Sequence, residues 1–192
     1  MAVSLTTDPI VSIQTVADAM PNLSDDDKIA FLINAASSRF LDYTGRERIN
    51  SGTVTEVIDR PPRSMPLVWL RATPVDTDED ITITSLYEGE EQETLSTSDY
   101  SLTATTGRLR LPNHSTLGDS WGYQIQVVYT GGWSTVPGAV QQGAMELIRV
   151  MRERLEGRAG LQSVAFEGVS QSYEVSSLPQ SVADLWQKYR VL

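Results

Sequence analysis

The chain has 192 residues, no cysteine, a single histidine and a formal net charge of −10. Without cysteine there can be no disulfide, thiolate metal ligand or thiol nucleophile, and the acid excess opposes a simple DNA binder, whose affinity comes mainly from bases neutralising phosphate. With 40% hydrophobic residues, the length supports one ordinary domain, or one carrying a modest insertion.

Met1–Asp8 lacks the basic and apolar stretches of a secretory leader. No segment approaches the roughly 20 apolar residues that span a bilayer, so a soluble chain from a reducing compartment is expected. Of the fifteen bases only Lys28 and Lys188 are lysine. That bias fits partly desolvated protein–protein ion pairs and codon usage equally well.

Asp8 and Pro9 predict the start of a first helix, with Ile10, Ile13, Val16, Ala17 and Met20 at helical spacing and Pro21 as its stop. Ser24 and Asp27 resemble a capping box for a second helix. Its apolar stripe is Ile29, Leu32, Ile33, Ala36, Phe40 and Tyr43, widened by Phe31 and Leu41, and Gly45 ends it. Short β-type runs then follow at 53–58, 67–70, 81–86, 100–104, 108–111 and 123–129, separated by turn residues such as Pro61-Pro62, Pro74 and Thr106-Gly107. Alternation over Ile81–Thr84 and Gln124–Val127 predicts strands with one wet face. Gly131-Gly132 closes this block. Pro137 opens a long helix whose apolar positions are Val140, Ala144, Leu147, Ile148, Met151 and Leu155. Residues 158–178 read as a loop or extended arm with a hairpin about Glu167-Gly168. A last short helix runs from Pro179 through Val182, Leu185, Trp186 and Tyr189.

The pattern predicts an α+β fold. A small helical bundle, with two N-terminal helices, one long and one short C-terminal helix, carries an inserted antiparallel β domain. The helical core takes residues 1–52 and 131–192, and the insertion 53–130.

Little of this points to catalysis. His114 sits in a polar turn with no second histidine or cysteine to share a metal, and no catalytic residue, metal site or cofactor is expected. Thr130-Gly131-Gly132-Trp133 lacks the lysine of a phosphate loop, and no serine occupies a nucleophile elbow. The acidic run Asp78, Glu79, Asp80, Glu88, Glu90, Glu91 and Glu93 fits no calcium loop. It reads as a solvated face, with electrostatic docking or repulsion of DNA as its functional alternative. The apolar C-terminal residues Leu185, Trp186, Tyr189, Val191 and Leu192, with Arg190, either pack on the helical core or anchor a partner.

The ordered combination of Ser24–Ile29, Leu32–Ser37 and Leu41–Arg46, then Leu67, Leu70 and Thr73-Pro74-Val75, then Val127–Trp133 with Val136-Pro137, then Leu178–Val182 and Tyr189-Arg190 resembles the tailed-phage head–tail connector proteins, also called adaptor or head-completion proteins. The resemblance implies a structural virion protein of the neck, made in the host cytoplasm. It would form a ring of twelve copies under the portal that continues the DNA channel, with the next neck or tail protein below. It also implies portal docking by the stretch from Leu185 to Leu192. Double-stranded DNA would pass without sequence recognition, along an acidic surface suited to not gripping it. Arg149, Arg152, Glu153, Arg154 and Glu156 suit contacts between neighbouring copies. Two other readings compete: a different neck or tail component such as a stopper or tail terminator, and a β-type carbohydrate- or ligand-binding module using Trp69, Trp121 and Tyr123.

Overall fold

The longest helix, α2 (Asp26–Thr44), starts from Asp25, whose Oδ1 accepts the backbone N–H groups of Asp27 at 3.1 Å and Lys28 at 3.3 Å. Hydrogen bonding from the Lys28 backbone is the main reason that the Asp25 carboxyl lies below the usual carboxylate range. Asp26 and Asp27 add negative charge where the helix dipole favours it. The helix stops at Gly45, which takes φ +69°, a left-handed conformation that glycine adopts without a Cβ clash. The computed structural model describes residues 4–6, 8–23, 25–59, 67–87, 90–111, 124–155, 163–166, 169–172 and 178–191. Ser24, expected as the cap, lies outside them.

Two compact units divide the chain: residues 1–44 with 136–190, and residues 45–135 with 191–192. In the first unit, α1 covers only Ile13–Ala19 and is capped by Ser12, whose Oγ accepts from Thr15 N at 3.1 Å. The expected start at Asp8-Pro9 is too early because α2 claims that segment's backbone. Asn34 Oδ1 accepts from Thr6 N at 2.8 Å, and Ser37 Oγ accepts from Ile10 N at 3.1 Å. Residues 4–6 and 8–11 therefore run as a strap held by polar side chains of α2. The long helix α3 (Gly138–Glu153) follows Pro137 and buries Val140, Gly143, Ala144, Leu147 and Ile148. The short α4 (Gln180–Trp186) continues into one 3-10 turn, Gln187–Tyr189.

The second unit pairs two antiparallel sheets. One has the order β1 (Gly52–Asp59), β7 (Gln124–Gly131), β3 (Thr82–Tyr87), β4 (Glu90–Thr94). The other has β2 (Leu67–Trp69), β6 (Arg108–Arg110), β5 (Ser101–Thr103). In the first unit, β8 (Ser163–Phe166) and β9 (Val169–Ser172) pair antiparallel. β7 alternates buried and half-buried residues over its whole length, and Val68, Leu109, Ile83, Ile125, Val127 and Tyr129 join the two sheets in one core.

β4 stands where the residue pattern placed no strand. Glu90, Glu91 and Glu93 pair with β3 around a bulge at Ser85/Leu86. β4 lies at the sheet's edge, where a strand needs little apolar surface and charge discourages pairing with another chain. That is why it carries no alternating signal.

Polar side chains close the unit's interior. Tyr129 Oη–H donates to Glu56 Oε1, which also accepts from Arg71 N at 2.8 Å, and Tyr129 Oη accepts from Ala72 N at 2.9 Å. Glu56 and Tyr129, from paired strands, thus satisfy the backbone N–H groups of a segment that has no strand partner for them. Arg46, also buried, stacks over the Trp133 ring at 4.3 Å and donates to Thr73 O and to Thr73 Oγ1 at 2.7 Å. The unit therefore begins at Gly45, ahead of β1.

Burial, and then the Glu56 carboxylate, push the Tyr129 phenol well above the usual tyrosine range. Its raised folded-state value means that the native state holds the proton after the unfolded chain has released it. The contribution is complete below about pH 10 and is lost as pH rises further, at about 1.4 kcal/mol per pH unit. Tyr129→Phe is expected to cost about 1–3 kcal/mol at neutral pH, by orphaning the Ala72 N–H and one Glu56 contact. The gap between wild type and variant should narrow above pH 10, and urea unfolding across pH 7–11 measures both effects.

Candidate assembly surfaces

The C-terminal candidates separate sharply. Trp186 is fully buried and is a core residue: its ring meets Phe40 edge-on at 5.1 Å and Tyr43 at 6.4 Å. Its Nε1–H donates to Val140 O at 3.2 Å. Gly143 leaves the space for the indole, since a Cβ there would stand 2.3 Å from Nε1. Trp186 is thus removed from the partner-facing set, because α4 needs its indole as an anchor. Leu185, Tyr189 and Val191 are half-buried and Arg190 is exposed. The Arg190 guanidinium lies 5.6 Å from the centre of the Tyr43 ring, and Lys188 Nζ lies 4.9 Å from that of Tyr189. Leu192 lies outside the described residues.

On α3, Arg149 and Glu153 are exposed, and Arg152 and, beyond its end, Arg154 are half-buried; Glu156 lies outside the described residues. Leu155, expected in the buried stripe, is 62% exposed. Asp78, Glu79, Asp80, Glu90 and Glu91 are all exposed. Asp80 adds to the burial that raises the Tyr100 phenol above the usual tyrosine range. Glu88 lies outside the described residues, and Glu93 is placed only by its backbone pairing with Ser85.

The aromatic set of a carbohydrate site is not assembled by the described residues. Trp69 is half-buried in β2, and Trp121, Tyr123 and His114 lie outside them. Among the described residues no group of three or more His, Cys, Asp or Glu could hold a metal ion. No described helix is long and apolar enough to cross a membrane.

Phe31 is the residue that pattern reading misplaced. It was expected to widen the apolar stripe of α2, yet it is 52% exposed. The buried arc of α2 centres on Phe40, and at 100° per residue Phe31 falls on the opposite side. A helical wheel finds this directly, whereas hydrophobicity alone assigns the ring to the core.

A helical unit interrupted between its second and third helices by two small antiparallel sheets is a fold found in the necks of phage-like particles. A chain in the neck of the empty gene transfer agent particle, computed with C6 symmetry, superposes with TM-score 0.62 at 15% identity, over 100% of this chain and 96% of that one. A chain of the native gene transfer agent virion gives 0.62 at 17% identity, over 97% and 93%. One in the native neck computed with C12 symmetry gives 0.57 at 16% identity, over 100% and 96%. No family model matches the chain, and no curated protein matches it significantly.

Gly143→Ala tests the Trp186 seat. Helix propensity alone would gain up to about 1 kcal/mol. Forcing a rigid ring off its hydrogen bond costs about 1–3 kcal/mol, so net destabilisation is expected. Trp186→Ala should cost more, about 3–5 kcal/mol. Chemical denaturation followed by far-UV circular dichroism measures both, and a stabilised Gly143→Ala would show that the indole is not seated there.

Proposed function

We propose that this protein is a structural subunit of a virion neck, a connector that forms a ring under the portal and joins a DNA-filled head to a tail. The observation that carries the reading is the extent of the fold match. Helices and β insertion together superpose over nearly the full length of both chains in neck particles of C6 and C12 symmetry. A shared helical motif alone would leave the β unit unaccounted for.

In this reading twelve copies surround the channel and the protein has no catalytic role. The acids Asp78, Glu79, Asp80, Glu90 and Glu91 repel phosphate, so double-stranded DNA slides past without being gripped. Tyr189, Arg190 and Val191, beyond the buried Trp186, reach the portal. Aromatic and arginine side chains supply most hot-spot energy at such contacts. The next neck or tail protein docks on the opposite rim of the ring.

Electron microscopy of the protein mixed with the portal protein of the same particle is the direct test. A coaxial ring with a central channel is expected, and its absence from a well-folded sample would reject the reading. Deleting Gln187–Leu192 keeps Trp186, so the deletion should retain the native far-UV spectrum while losing at least ten-fold in portal affinity. Unchanged binding in a pull-down would remove the C-terminal docking role.

A further inference from the structure

The two long helices of the first unit present outward faces that look away from each other. On α2, Lys28, Phe31, Ser38, Arg39 and Asp42 are exposed along one side, while Ile29, Ile33, Ala36 and Phe40 are buried on the other. On α3, Gln142, Arg149 and Glu153 are exposed, and Val140, Ala144 and Leu147 are buried opposite them. The buried faces meet through Trp186, which touches Phe40 and Tyr43 on α2 and Val140 and Gly143 on α3. The C-terminal half of α2 therefore lies beside the N-terminal half of α3. In an antiparallel packing of the two helices, counting back along α2 and forward along α3 from that contact brings Phe31 and Arg149 to about the same height, roughly two to three turns from the indole.

We propose that the α2 face centred on Phe31 and the α3 face centred on Arg149 are the two halves of a head-to-tail contact between copies of this chain. The proposal rests on the ring reading above and names its interface. A closed ring needs two different patches on opposite sides of each subunit, and the exposed faces of these helices supply them, level with each other in the antiparallel packing. The chemistry matches as well. An exposed phenylalanine ring accepts a guanidinium over its face, which pairs Phe31 with Arg149. Lys28 lies one turn before Phe31 and Glu153 one turn after Arg149, so the same docking brings those opposite charges together. That register requires the α2 of one copy to run against the α3 of the next. Rotation about a ring axis preserves each helix's sense along the axis, so an antiparallel packing within one copy carries over to the contact between copies. The pair that Lys28 now makes with Asp25, 3.4 Å long between exposed side chains, is weak enough to exchange.

The chain's lack of cysteine makes the test clean. Phe31→Cys, Arg149→Cys and the double variant are each assembled with portal protein, treated with a short bis-maleimide and run on denaturing gels. The double variant should give a ladder of covalent oligomers extending toward the ring number, and each single variant should stay monomeric. A ring visible by microscopy but no ladder would overturn this interface and leave the connector reading standing. Dimers from Phe31→Cys alone would show a two-fold contact and overturn the head-to-tail arrangement. If wild-type protein forms no ring, both readings fall together. Phe31→Asp provides a second readout: its melting temperature should match wild type, and its ring yield should drop at least ten-fold. Wild-type ring yield from this variant would also overturn the interface.

Discussion

The indole of Trp186 holds the helical unit in register. A seven-residue helix such as α4 has almost no stability alone, because nucleation costs more than so short a helix returns. It persists because its last residue inserts a ring between α2 and α3, where it meets Phe40 edge-on and bonds the Val140 carbonyl. Gly143 is the matching concession on α3: an interior glycine weakens a helix, and here the lost side chain is the space that the ring fills. Tyr43 adds a second tie, with its hydroxyl 3.3 Å from Ala183 O. Once α2 and α3 are locked by their apolar faces, the side that each shows outward is determined.

The β unit solves a different problem. Its two sheets have four and three strands, and the segment after β2 crosses without a strand partner of its own. Leaving two interior N–H groups unmet would cost several kcal/mol. Glu56 and Tyr129 meet them by reaching from neighbouring strands, which are paired so that Val54 opposes Tyr129 and Glu56 opposes Val127. A buried carboxylate is expensive unless hydrogen-bonded, and this one accepts a phenol and a backbone N–H at once. The same arrangement turns a glutamate inward on β1, an edge strand, where such residues discourage pairing with foreign strands.

Much of this fold was legible from residue pattern, and the exceptions have physical causes. The α2 stripe, the Gly45 stop, the alternation of β7 and the Pro137 start are local signals, and each stands where the pattern puts it. The start of α1 was misplaced because Asn34 and Ser37 capture the backbone ahead of it, a contact between residues nearly thirty positions apart. β4 was hidden because an edge strand of glutamates obeys no hydrophobic alternation. Phe31 and Trp186 went different ways: the phenylalanine assigned to the apolar stripe is surface, and the tryptophan left open between core and partner anchor is core. Only the seat at Gly143 and the angular position on α2 distinguish them, and neither is a property of the residue type.

The pairing of β1 with β7 places Gly52 opposite Gly131, and Asn50 bridges Trp133 just outside it. The β unit thus begins and ends at neighbouring points, fastened by Ser51 N to Trp133 O at 2.9 Å and Trp133 N to Ile49 O at 2.8 Å. Closing a loop costs little more as the loop grows, about 0.6 kcal/mol per doubling, and here even that cost is met within the insertion. A segment anchored in this way behaves as an exchangeable cassette. Its strands can be lengthened, trimmed or swapped while its two fastened ends stay together. Sequence drift would then concentrate between these two fasteners.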